Sequence, residues 1–142
     1  MTDLLDINVW LALLDEQHVH RSAALRYWTE GASELTAFCR ITMLGLLRLS
    51  TQKGVLSSPL SPVDAWGVYR RYLEEPGVCF LQEPTALDEH FIAFSSRAGF
   101  GPPLWSDAYL ASFAMASGAR LVSFDSDFKS FPGLSFLHLT PE

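Results

Sequence analysis

The sequence predicts an α/β domain, a mostly parallel central sheet with helices on both faces. Three observations lead there. Short apolar runs of strand type alternate with longer stretches of helical spacing along the whole chain. The 142 residues are 49% hydrophobic and only 18% charged, which is enough apolar material for the core of one domain. No repeat, low-complexity tract or interdomain linker interrupts them, so residues 1–142 read as a single domain.

Each element has its own signal. TDLLD (2–6) reads as a short strand, and INVWLALLDE (7–16) follows with helical spacing. HVHRSAALRYWTEG (18–31) predicts a second helix with Ala23, Ala24, Tyr27 and Trp28 inward and Gly31 just past its end. ELTAF (34–38) is a strand, and ITMLGLLRLSTQ (41–52) is helical by period despite Gly45. GVLSSPLSP (54–62) is the clearest loop. Ser61 as N-cap, Pro62 at the first helical position and Asp64 in the first turn start a helix that runs to EEPG. VCFL (78–81) is a strand. Thr85 and Asp88 have the spacing of a capping box that opens ALDEHFIAFSSRAG (86–99). The loop GFGPPLW leads to a helix over SDAYLASFAMASG (106–118), capped by Ser106 and stopped by Gly118. RLVSF (120–124) and a last turn and strand in FPGLSFLHL (131–139) close an order near βααβααβαβ.

Composition narrows the chemistry. The net charge of −6 argues against nucleic-acid binding through a broad basic face, and for a basic partner or carboxylates gathered around cations. The longest apolar runs are about eight residues, far short of a membrane span. MTDLLD has neither a basic leader nor a cleavage-type segment, which predicts a cytoplasmic protein. Cys39 and Cys79 sit in apolar surroundings and read as reduced, buried thiols.

In parallel sheets sites form at the carboxyl ends of strands, and that rule selects four acids. Asp6 ends the first strand, Asp107 lies in the first turn of the helix after GFGPPLWS, Asp125 ends RLVSF, and Asp127 follows two residues on. Each has a plain alternative: Asp6 as a helix cap, Asp107 as a carboxylate favoured by a helix N-terminus, Asp125 and Asp127 as shapers of a turn. Together on one edge they would repel one another unless protons or a cation intervened, and hard divalent cations take such oxygen ligands.

At this point LLDINVWLALL (4–14), ITMLGLLRL (41–49) and WSDAYLASFAMASGARLVSFDSDF (105–128), in that order and at those separations, resemble the PIN-domain family. They look most like the VapC-type ribonuclease toxins of toxin–antitoxin pairs. The resemblance spans nearly the whole chain and implies a PIN-like three-layer sandwich. It implies that Asp6, Asp107 and Asp125 are the metal-binding and catalytic acids, that Asp127 is a further acidic position of variable role, and that Asn8 and Ser123 brace the carboxylates. Asn8 and Ser106 are equally readable as helix caps. One position departs from the family. A glutamate three residues after the threonine of the second motif is usual, and here Thr42 is followed at that spacing by Gly45. A subgroup of VapC-like toxins resembles the chain there, with L-G-x-L-R-L. The departure bears on whether the site holds two metals. Arg48 in the same block is either a phosphate contact or a structural partner of the acids.

The activity implied is metal-dependent hydrolysis of RNA phosphodiester bonds with Mg²⁺ or Mn²⁺. The partners implied are the RNA, a small cognate antitoxin protein whose basic tail crosses the acidic site, and a second copy in a homodimer; no membrane is involved. Trp28, Trp66 and Phe91 are compatible with an apolar interface. Arg40, Arg48, Lys53, Arg97 and Lys129 are the candidates for gripping phosphate, and so few contacts imply a shallow salt dependence. Trp105 reads either as a base-stacking surface or as packing. His18, His20, His90 and His138 lie outside the motifs and read as surface or capping residues.

Three rivals follow from the same residues. Asp125-Ser126-Asp127 after an apolar strand locally fits a haloacid-dehalogenase-type phosphotransferase, but too little chain follows Asp127 for that fold. Gly45 in place of glutamate would suit a PIN-like fold kept for partner binding. Cleavage of DNA instead of RNA is a third reading, since phosphate contacts carry no 2′-OH information.

Overall fold

The computed structural model describes residues 1–141. Its elements are β1 (Thr2–Leu5), α1 (Ile7–Leu14), α2 (Arg21–Arg26), β2 (Leu35–Phe38), α3 (Arg40–Thr51), α4 (Pro62–Glu74), β3 (Val78–Phe80), α5 (Leu87–Ser95), α6 (Trp105–Ser117), β4 (Arg120–Ser123) and β5 (Phe136–His138). The order is therefore βααβααβααββ, the five strands and six helices named singly from the sequence, which the short form βααβααβαβ undercounts by one of each. All neighbouring strands pair parallel, in the spatial order β3-β2-β1-β4-β5. Strand order reverses between β1 and β4, which is where an open parallel sheet leaves a crevice at its carboxyl edge.

The pleat sorts the core into two layers. Leu4, Ala37, Cys39 and Leu121 face α5 and α6, and pack with Phe94, Ala111 and Phe113. Leu5, Phe38 and Val122 face the other way, toward Trp10, Leu46 and Tyr69 of α1, α3 and α4. Successive strand residues point to opposite faces, so both faces are apolar and both are covered. Trp10 stacks on Phe38 at 3.9 Å and holds α1 flat against the sheet. This is the three-layer α/β sandwich expected.

Local start and stop signals mostly hold. The Ser61 hydroxyl accepts from the Asp64 N–H at 3.1 Å, and Gly118 ends α6 with φ +66°. Three do not. α6 begins at Trp105 after a 3₁₀ turn over Pro102–Leu104, so Ser106 is already inside the helix and caps nothing. The N-cap position of α5 is Ala86, without a side-chain bond, so Thr85 forms no capping box. The second helix keeps α form only to Arg26 and then widens into a π turn over Tyr27–Gly31. A buried polar cluster explains that turn. Asp3, fully buried, accepts the Tyr27 hydroxyl at 2.6 Å, the Ser33 N–H and hydroxyl, and two bonds from Arg120, whose guanidinium also donates to the Gly31 carbonyl. The Asp3↔Arg120 register of β1 and β4 sets the pair at the amino edge of the sheet, opposite the crevice.

Candidate metal centre

The site grows from the ends of β1 and β4. Asp6 continues β1 by one residue, its N–H donating to the Val122 carbonyl at 2.9 Å. One carboxylate oxygen accepts from the Ile7 N–H at 2.8 Å and caps α1. The other accepts from the Ser123 hydroxyl at 2.7 Å. Asp6 therefore caps α1 with one oxygen and ties β1 to the end of β4 with the other.

Ser123, fully buried at the end of β4, is the joint between the two strand ends. Its hydroxyl donates to Asp6, and accepts from the Asp125 N–H at 2.9 Å and from the Asn8 amide at 3.2 Å. Asn8 Oδ1 in turn accepts from the Phe124 N–H at 3.4 Å. Asn8 is thus a brace and not a cap. Past Ser123 the chain turns through a 3₁₀ segment, Ser126–Ser130, in which Asp125 Oδ1 accepts from the Asp127 N–H at 2.9 Å. The turn-shaping reading of Asp125 also holds, again with one oxygen.

The first turn of α6 brings Asp107 to the same place. One oxygen each of Asp107, Asp125 and Asp127 lies within 4.8 Å of the others. Asp6 stands beside this trio, bound to Ser123 and close enough that its charge and that of Asp125 raise the pKa of Asp107. The sequence groups Asp6 with Asp107 and Asp125 and offers Asp127 as a further acid. The structure puts Asp127 in the tightest group, because the 3₁₀ turn folds it back over Asp125.

Like charges at that spacing repel by roughly 3–4 kcal/mol per pair at an effective dielectric constant of ~20. The Asp107 carboxyl is accordingly pushed up to about 6, by burial first and then by Asp125, Asp6 and Asp127. Burial likewise raises Asp6, against its bond from Ser123. Among the described residues none of these acids has an ion pair. An all-oxygen, unneutralised donor set of this kind fits a hard divalent cation.

Other expected residues lie elsewhere. Arg48 is exposed on α3 beside Leu44, Pro62 and Trp66, and does not pair with the acids. That removes its role as their structural partner, because α3 turns position 48 toward α4. Arg40, at the start of α3, lies over the Phe80 ring at 4.7 Å. Thr42 caps its own helix, its hydroxyl accepting from the Cys39 N–H at 2.9 Å. Gly45 is filled from outside: a Cβ there would meet Ile7 Cδ1 at 2.1 Å and Cγ1 at 2.8 Å. The position at which the family carries glutamate is occupied by the α1–α3 packing contact. Trp105 is half exposed yet held edge-on by Phe91 and Phe100. Trp28 packs on Trp10, and Phe91 on Trp105 and Tyr109, so of the three aromatics considered for an interface only Trp66 is exposed. His20 stacks on Phe124 and His138 bonds the Phe124 carbonyl, so both support the β4 exit from behind. Cys39 is buried and Cys79 half-buried, both as free thiols.

Comparison with known proteins gives concordant results. The PIN domain profile matches residues 4–134. Ribonuclease VapC41 of Mycobacterium tuberculosis is 39% identical over 138 residues, covering 92% of this chain and 94% of its own. Ribonuclease VapC44 of the same organism is 34% identical over 142 residues, 98% of each chain. Among solved structures, Mycobacterium tuberculosis VapC20, described as a sarcin-ricin loop cleaving toxin, superimposes with a TM-score of 0.72 at 16% identity over 98% of this chain and 99% of its own. VapBC2 from Rickettsia felis, bound to a promoter DNA fragment, gives 0.70 at 16% identity over 98% and 99%. At such identity these last two speak for the fold alone.

Proposed function

The chain belongs to the PIN-domain family, and from that premise we propose that it is a metal-dependent endoribonuclease acting as the toxin of a toxin–antitoxin pair. The convergence of Asp107, Asp125 and Asp127 beside Asp6, at the point where strand order reverses, carries the reading. It is supported by the relatives named ribonuclease that match over nearly the whole length.

In this reading Asp107, Asp125 and Asp127 hold Mg²⁺ or Mn²⁺, with Asp6 as the fourth acid. The ion, when bound, supplies Lewis-acid polarisation of the scissile phosphodiester and neutralises the charge that builds there. Ser123 and Asn8 keep Asp6 and Asp125 in place; the second oxygen of Asp125 faces the ion, and both Asp6 oxygens keep lone pairs beside the bonds they accept. Burial of Asp107 means that its proton must leave before it can ligate. The acidic pocket repels RNA until it is filled, which reconciles a nuclease with a net charge of −6.

Toxins of this kind are held by a partner. Solved complexes with a similar fold include VapBC from Salmonella typhimurium bound to DNA and FitAB bound to a DNA fragment. These complexes support a cognate antitoxin protein as partner; a homodimer and action in the cytoplasm are further parts of the proposal. None of the helices among the described residues is long and apolar enough to cross a membrane.

Cleavage of a mixed structured-RNA pool with Mn²⁺, Mg²⁺ or EDTA tests it, comparing wild type with Asp6→Asn and Asp107→Asn. Metal-dependent cutting that both substitutions abolish, with the fold intact by circular dichroism, is the expected result. Wild-type rates in either variant would sink the assignment. One observation favours a second reading, a PIN-like fold used only for partner binding: α3 contains no carboxylate, and Ile7 fills the space over Gly45. Absence of both cutting and metal binding would select it.

A further inference from the structure

We propose that Arg97 is a positioning residue for the metal centre, clamping the turn that carries Asp127, and is not a grip on RNA phosphate. The inference rests on the metal-site reading above. Sequence alone offers Arg97 as one of few cations available to RNA. Its contacts commit it to the protein. The guanidinium donates to the Ser130 carbonyl at 2.5 Å, across 33 residues of chain. It lies over the rings of Phe94 at 5.6 Å and Phe131 at 5.1 Å. Its Nε is buried without a partner, so the group is set into the structure at the cost of one unmade bond.

The residue it holds is the last of the Ser126–Ser130 turn. From there the connection to the site is short. The Ser130 hydroxyl donates to the Asp127 carbonyl at 2.8 Å, and the Asp127 N–H donates to Asp125 Oδ1 at 2.9 Å. Inside the turn Phe128 and Phe131 are buried, and Phe131 meets Phe94 of α5 edge-on at 5.0 Å. The turn is therefore pinned from within by two rings and from without by one guanidinium reaching over from the segment after α5. A 3₁₀ turn of five residues has little stability of its own. Asp127 is exposed, with an oxygen within 4.8 Å of one on each of two other acids, and like-charge repulsion pushes its turn outward. A clamp on Ser130 opposes that push.

Mn²⁺ binding to the full-length protein, measured by titration calorimetry, tests the clamp with no reliance on turnover. Arg97→Gln is expected to weaken Mn²⁺ binding roughly 10- to 100-fold, the usual cost of removing a group that orients a ligand. Because Arg97 acts through Asp127, Arg97→Gln combined with Asp127→Asn is expected to bind about as weakly as Asp127→Asn alone. Losses that multiply would overturn the proposal. So would unchanged Mn²⁺ affinity together with a shallower salt dependence of RNA binding, the mark of a phosphate contact. Should Arg97→Gln fail to fold, Arg97→Met, which keeps the stem over the two rings but loses the donor to the Ser130 carbonyl, decides on the same titration: a several-fold loss supports the clamp and wild-type affinity overturns it. Wild-type protein that binds no Mn²⁺ would overturn the metal site itself, whereas wild-type binding indifferent to Arg97 removes only the clamp.

Discussion

Asp107 shows how one side chain can carry both a structural cost and a function. Burial and the neighbouring acids push its carboxyl up to about 6, from an ordinary value of 3.8. A carboxyl raised by folding lends stability below its unfolded pKa and loses it as pH climbs through the folded one. Thermal melts in EDTA should therefore show stability falling between about pH 4 and pH 6 and levelling above. Asp107→Asn should flatten that fall, and equal slopes in both proteins would refute the account. Asp3 has the opposite sign. Bonds from Arg120, Tyr27 and Ser33 hold its carboxyl below the ordinary value against its burial, so its contribution is lost only as the solution grows more acid than 3.8. The four site acids could be found in the sequence because each ends a strand or opens a helix on one edge. Their ranking could not, since the Asp127 position depends on a five-residue turn whose geometry comes from Arg97, Phe128 and Phe131.

At the level of elements, the α1–α3 contact decides what the second motif can be. Ile7 lies in the space a side chain at 45 would need. Gly45→Ala should destabilise by about 1–3 kcal/mol through overpacking, although alanine is the better helix former by ~1 kcal/mol. In an Ile7→Ala background the same substitution should become neutral or stabilising. Chemical denaturation of the four proteins reads this cycle, and additive effects would show that Ile7 and Gly45 are not coupled. The amino edge of the sheet gives a second test. Arg120→Met leaves Asp3 buried and unpaired, which should cost about 3–5 kcal/mol, while Mn²⁺ affinity of the folded variant stays as in wild type because the site lies at the other edge. Helix and strand positions follow from period and punctuation, so nearly every element was legible. The π turn was not: it depends on Tyr27 reaching Asp3, 24 residues away in sequence.

Taken whole, the molecule is a parallel sheet with its two apolar faces covered and its carboxyl edge charged. Millimolar Mg²⁺ or Mn²⁺ should raise the melting temperature, since binding to the native state alone adds about 2.7 kcal/mol at a hundredfold excess over the dissociation constant. Differential scanning fluorimetry measures this, and Asp107→Asn should lessen the shift. An unchanged melting temperature in saturating metal would count against the site.

The amino-acid sequence by itself determined the class of fold, the run of strands and helices, and the edge on which the acids gather, because periodicity and turn chemistry are local properties of the chain. It also determined the family, through three motifs in order. Tertiary structure alone decided which carboxylates come within 4.8 Å, that Ile7 closes the space over Gly45, and that Arg97 faces the turn instead of the solvent. Those outcomes depend on the register between β1 and β4 and on how α5 packs behind the site, which are relations between residues far apart in the chain that no local pattern encodes.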